Sequence, residues 1–273
     1  MSKLVYVFCF ITTLIGAQSF APKPNELGST AIFKDSSIIV NWANHVEVNR
    51  GYLNIANPSL GYVSNGEVAA GEGKAEGNSF DIVSLGDSGV AIITFERSIE
   101  NGAGVDFAVF ENGFADDYLE LAFVEVSSDG DRYVRFPAKS EASTTIQIGP
   151  YEFSDCRFFN NLAGKYRQGY GTPFDLEELK DSSGIDLMNI THVKLIDVVG
   201  TINEEFGSFD QYGNVINDLY PTDFPSGGFD LDGVAVINQG ALSVSENDSE
   251  FYNLYPNPTK SKLLSRAILS NLN

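Results

Sequence analysis

Asp230 and Asp232 stand two residues apart in Phe229-Asp230-Leu231-Asp232-Gly233. On an extended strand that spacing turns both carboxylates to one face. Two carboxylates on one face begin a cage of hard oxygens, of which calcium takes about six to eight. Asp81, Asp106 and Glu111 could complete such a cage if their strands neighbour the last one, so these five are the candidate metal ligands and Ca2+ the candidate cofactor. Neither EF-hand spacing nor a Gly-Asp nonapeptide repeat is present.

A second group carries the mixture that sugar recognition needs: flat aromatic faces for C–H patches and planar polar groups for hydroxyls. In the stretch 160–170, Tyr166 and Tyr170 would be the platforms and Asn161, Lys165 and Arg167 the donors. The structural alternative is that the tyrosines pack over a sheet edge and Arg167 answers a nearby carboxylate. Catalytic signals are few. The two histidines, His45 and His192, lie in no zinc-type His-Glu-x-x-His motif, there is no Gly-x-Ser-x-Gly elbow, and Cys156 beside Arg157 has no recognisable histidine partner. Glu72 and Glu76 around Gly71, Gly73 and Gly77 would repel phosphate. No catalytic residue is assigned, although 37 acidic side chains leave open a hydrolase working through an acidic pair.

The elements that must position these groups are strands. From Gly104 to Pro137 the chain reads as two or three consecutive strands with a tight Asp129-Gly130 turn, a dipeptide that accepts positive φ and matches strand twist. Ser79–Leu85 alternates, whereas Val90–Phe95 and Asp106–Glu111 are apolar on both parities, as strands covered on both faces are. Thr191–Val199 is a further buried strand in which Asp197 shares the parity of Val193 and Leu195, so either it has a partner or that parity is misassigned. Phe229–Asn238 is the last strand, able to pair near the first. One short helix is predicted at Phe174–Leu179, capped by Asp175 and stapled by Phe174. The expected fold is an all-β, jelly-roll-like β-sandwich with one short helix, spanning residues 27–239.

The 273 residues carry a formal charge of -20, which excludes nucleic acid as a partner because no basic stripe exists to displace its counterions. Residues 1–19 have the single early cation, short apolar run and small-residue end of a cleaved signal peptide, implying a secreted chain with no transmembrane anchor after cleavage. Cleavage removes Cys9 and leaves Cys156 without a disulfide partner. Residues 240–250 have linker composition.

Beyond the linker, Phe251-Tyr252-Asn253-Leu254-Tyr255-Pro256-Asn257-Pro258-Thr259 resembles the opening of the C-terminal sorting domain carried by type IX secretion cargo. That resemblance implies the type IX secretion machinery as a partner and a place outside, or on the outer surface of, a Gram-negative bacterium. The family's domain usually continues for several more strands, whereas residues 251–273 would hold only its truncated start. Within the main domain, Val124–Tyr133 and Gly228–Val234 resemble the strand-turn signatures of discoidin-like and galactose-binding-like jelly rolls. The expectation is therefore a non-enzymatic binding or adhesion module with glycan or surface polymer as ligand. Its rivals are a secreted glycoside hydrolase and a structural surface protein without a small ligand.

Overall fold

The computed structural model describes residues 20–240. The expected signal peptide, the linker beyond Gly240 and the sorting-domain start lie outside the described residues. Two six-stranded antiparallel sheets make the fold. The first contains β1 (Ile32–Phe33), β2 (Asn41–Trp42), β4 (Val83–Ser84), β6 (Phe107–Glu111), β12 (Tyr170–Phe174) and β14 (Asp230–Val236), in the order β1-β12-β6-β14-β2 with β4 also on β14. The second contains β3 (His45–Asn49), β5 (Val90–Ile99), β7 (Ala122–Ser127), β8 (Val134–Arg135), β11 (Leu162–Ala163) and β13 (Ile190–Asp197), in the order β11-β7-β13-β5-β3 with β8 also on β7. A short ribbon pairs β9 (Lys139–Ser140) with β10 (Phe159–Asn160). The chain changes sheet from β5 to β6, from β6 to β7 and again from β13 to β14, the alternation of a jelly-roll-like sandwich.

Alternation along the central strands builds the core. Phe107 and Val109 of β6 and Leu231, Val234 and Val236 of β14 face Ala91 and Ile93 of β5, Val124 and Val126 of β7, and Val193 and Leu195 of β13. Phe107 stacks on Phe174 at 5.2 Å and meets the edge of Phe136 at 5.9 Å. The back of the first sheet is covered as well: Ala108, Phe110 and Ala235 form a smaller cluster under Trp42, whose ring is 5.1 Å from Phe110. Every residue of β6 and β14 is consequently buried, which explains why β6 is apolar on both parities up to Glu111.

Four expectations need adjustment. Val90–Phe95 extends to Ile99 as β5 and is covered on one face only, because the back of the second sheet is a polar ladder where Lys194 and Arg135 both pair with Glu125. The predicted 79–85 strand shrinks to β4, leaving Phe80 94% exposed. Of the consecutive strands read between Gly104 and Pro137, β6 and β7 belong to different sheets. The Asp129-Gly130 turn is wider than two residues: Val126 pairs with Val134, and residues 127–133 make the connection. There the Asp129 carboxylate accepts from Asp131 and Arg132 amides, and Ser127 Oγ accepts from Gly130, so side chains take the donors a tight turn would use. The helix at 174–179 is a single 3-10 turn, Leu176–Leu179, with Asp175 accepting from the Glu177 amide.

Phe107→Ala empties the centre of the aromatic stack and is expected to cost about 3–5 kcal/mol of unfolding free energy. Phe80→Ala, on the exposed loop, is expected to stay within about 0.5 kcal/mol, both read from urea unfolding curves.

Candidate functional site

The five predicted metal ligands separate into two that meet and three that do not. Asp106 lies before β6, at the opposite end of that strand from Glu111, and accepts from the amides of Gly102 and Leu176 and from Asn238 Nδ2 at 2.7 to 2.8 Å. Asp232 takes the amides of Glu76 and Gly77, both at 2.9 Å. Backbone donors therefore occupy the oxygens of both residues, and Asp81 is exposed on the shortened 79–82 segment. Asp230 and Glu111 come together: Glu111 sits opposite Leu231 in the ladder, and Asn112 Nδ2 donates to Asp230 Oδ2 at 3.0 Å.

Two residues that sequence alone did not single out join them. Glu111 continues the inward parity of Phe107 and Val109, and Glu120 continues that of Val126, Val124 and Ala122 beyond the start of β7. The alternation that builds the core thus delivers two carboxylates where the core ends. Asp218 arrives from the 198–229 segment, anchored by the Leu121 amide on its Oδ2 at 2.8 Å. Glu111 Oε2 accepts from the Gly113 amide at 2.7 Å, but Glu111 Oε1, Glu120 Oε1, Asp218 Oδ1 and Asp230 Oδ1 have no hydrogen-bond partner. All four residues are buried.

Desolvation is the leading cause that lifts these carboxyls above the usual carboxylate range. Asp230 and Asp218 are each pushed up to about 7. Glu111 is raised well above its ordinary value by burial and then by the charges of Asp230 and Asp232, and Glu120 by burial and then by Asp230, Glu111 and Asp218. Arg50 sends its charge toward Asp230, but its nitrogens donate to the carbonyls of Asn65, Ser84 and Gly66. Asp197, the inward carboxylate of β13, behaves as its parity requires: Oδ1 accepts from Phe229 N at 2.7 Å and Oδ2 from Ser88 N at 3.2 Å. Among the described residues, no group of three or more His, Cys, Asp or Glu is arranged as it stands to hold a metal ion.

The segment joining Glu111 to Glu120 carries the buried nest at its ends and a solvent-facing cleft at its tip. Tyr118 links the two. Its hydroxyl donates to Pro150 O at 3.1 Å, its ring stacks on Phe114 at 4.3 Å, and burial together with the charges of Glu120, Glu111 and Asp218 raises its phenol. The cleft, about 490 Å3, is lined by Asp116, Asp117, Lys23, Asp155, Arg157 and one wall of Phe153. An apolar groove of about 320 Å3, with Ile146, Ile148 and Phe158, shares Phe153 and Asp155 with it. Phe114, Tyr151 and Phe153 are 64%, 77% and 61% exposed, and Tyr151 stacks on Phe224 at 6.2 Å. Arg157 holds Asp155 by a charged hydrogen bond that pulls its carboxyl below the ordinary value.

The predicted sugar loop is mostly scaffold. Tyr166 lies in the second hydrophobic cluster with Leu119 and Leu162, its hydroxyl 2.9 Å from Thr30 Oγ1, so its face offers no platform. Lys165 Nζ donates to Phe159 O at 2.8 Å, and burial lowers its pKa to about 8. Asn161 Nδ2 reaches Glu178 Oε2 at 2.6 Å. Arg167 answers Asp116 at 2.9 Å and lies over the ring of Tyr170 at 4.6 Å; these two touch the cleft only through Asp116. Cys156 is buried, and desolvation pushes its thiol up to about 11, the condition of an inert packing residue.

No family model matches the chain, and no curated protein matches it. Fold and site together define an all-β sandwich with buried carboxylates at one end of its core and, beside the covering loop, a charged cleft with Phe153 in its wall.

Asp87, in the turn between β4 and β5, provides a pH test. It is buried, accepts from the Ile55 amide at 2.8 Å, and desolvation raises it from 3.8 to about 6. A carboxyl raised on folding contributes stability that is full below its unfolded value and lost as pH rises through the folded one. Between about pH 4 and pH 7 Asp87 therefore withdraws up to about 3 kcal/mol. Asp87→Asn keeps an acceptor for Ile55, and its unfolding free energy is expected to fall less than the parent's over that range, as followed by urea titration at each pH.

Proposed function

We propose that this chain is an exported, non-enzymatic binding module that takes up glycan or another polyhydroxylated surface polymer in the cleft beside Phe153. The observation that carries this function is the pairing of an exposed aromatic wall with planar charged groups of both signs, Asp116, Asp155 and Arg157, in one opening of about 490 Å3. Aromatic faces suit the apolar side of a sugar ring, and carboxylate and guanidinium groups suit its hydroxyls. The adjoining groove along Ile146 and Phe158 extends the surface, as a polymer longer than one residue requires. Export is supported by the leader and by Tyr255–Thr259, and the resemblance of Gly228–Val234 to galactose-binding-like jelly rolls points to the same ligand class.

Hydrolysis is the weaker alternative. A glycosidase acid needs a raised pKa beside the scissile bond. In the cleft Asp155 is instead held low by Arg157, and the raised carboxyls lie buried behind the loop.

The test is retention of the exported chain on a glycan array and on immobilised bacterial surface polysaccharide. Phe153→Ala is expected to weaken binding about tenfold, near 1.4 kcal/mol, with unchanged melting temperature. Wild-type protein that retains no glycan or polymer would leave the structural surface protein as the better description.

A further inference from the structure

We propose that Glu111, Glu120, Asp218 and Asp230 bind one calcium ion, which gathers four carboxylate oxygens that the chain itself leaves unpartnered. Buried polar atoms almost always find partners, so an orphaned oxygen marks a missing group. Of the seven buried side-chain oxygens without a hydrogen bond among the described residues, four belong to this nest. A group of buried carboxylates needs counter-charge, since each ion taken from water costs several kcal/mol when unpaired. No ion pair among the described residues supplies it: Glu125, Asp116, Asp155 and others are answered by lysine or arginine, these four are not, and Arg50 is held by carbonyls.

The donor set selects the ion. It is all oxygen, without imidazole or thiolate, which favours a hard cation over zinc or copper. The four groups come from separate segments, the end of β6, the approach to β7, the 198–229 connection and the start of β14. Calcium tolerates such irregular, flexible geometry, whereas magnesium demands a near-ideal octahedron and keeps its waters. Among the described residues no three such side chains are closed into a ligand group as they stand. The ion would supply the attraction that closes them.

The position has a consequence for the cleft. Glu111 and Glu120 bracket the loop bearing Phe114, Asp116 and Asp117. Asp218 follows Asn217, whose side chain accepts from Ile148 N at 3.0 Å and donates to the carbonyls of Ser143 and Ile146. One ion would therefore tie both the cleft loop and the groove wall to the sheets.

The experiment uses the full chain stripped with EDTA at about pH 8. Melting is measured with added calcium chloride, magnesium chloride or chelator, and terbium luminescence, sensitised by the adjacent Tyr118, gives stoichiometry. Calcium at a hundredfold excess over its dissociation constant is expected to raise the melting temperature by about 5 °C or more. Terbium should bind one per chain and be displaced by calcium. Glu120→Gln with Asp230→Asn should weaken calcium binding at least about 100-fold, while Asp81→Asn, on the surface, should bind as the parent does. A folded wild type with neither calcium shift nor terbium signal overturns the site, as does binding that survives the double substitution. An equal response to magnesium overturns the choice of ion. Should the double variant fail to fold, the wild-type titration alone decides. Glycan retention is read separately, so loss of that function leaves this result standing.

Discussion

The structure depends on how its apolar alternation ends. Along β6 and β7 every second side chain points between the sheets, and the same parity that places Phe107, Val109, Val124 and Val126 in the core carries Glu111 and Glu120 into it at one end. Ionised carboxylates there are opposed by desolvation and by each other. The sandwich answers with backbone amides wherever it can, as Phe229 and Ser88 do for Asp197 and Leu121 does for Asp218, yet four oxygens stay unmatched. Most of the buried side-chain oxygens that lack a hydrogen bond among the described residues lie at that end of the sandwich.

The cleft is built on this end. Its loop is short and fixed at both ends by nest residues, while Tyr118, beside the carboxylates, donates its hydroxyl to Pro150 O. Two of the aromatic side chains that stand out from the cleft and its neighbouring loops, Phe114 and Tyr151, are held by stacking, on Tyr118 and Phe224 respectively. Stacked rings at a loop tip lose little further side-chain entropy on binding, which suits recognition better than freely rotating ones. The back of the second sheet carries a charged ladder in which Lys194 and Arg135 pair with a buried Glu125.

Much of the fold was legible because period-two patterning reports directly on which faces are covered. An apolar run on both parities marked β6, whose every residue is buried, but the same reading of Val90–Phe95 did not hold because the outer face of β5 lies beside a charged ladder; the odd carboxylate of Thr191–Val199 proved to have partners. The Asp129-Gly130 turn was less legible, because Ser127 and Asp129 compete for backbone donors and widen the connection. Of the site, Glu111 and Asp230 could be found and Glu120 could have been, by extending the β7 parity two residues backwards. Asp218 could not, since it lies in a long segment without periodicity and is defined only by the Leu121 amide it accepts. The place of Tyr166 was not legible for a related reason: composition gives residue types, and only the closure of the second hydrophobic cluster decides that this ring is inside.

If the carboxylate end governs the loop above it, an ion should quiet that loop and little else. Hydrogen exchange of the full chain, with calcium and with chelator at about pH 8, measures this directly. The account predicts slower exchange with calcium at the amides of 112–121 and 143–148, with β13 in the sheet centre unchanged. Exchange that is the same in both conditions at 112–121, or that changes equally across both sheets, would contradict it.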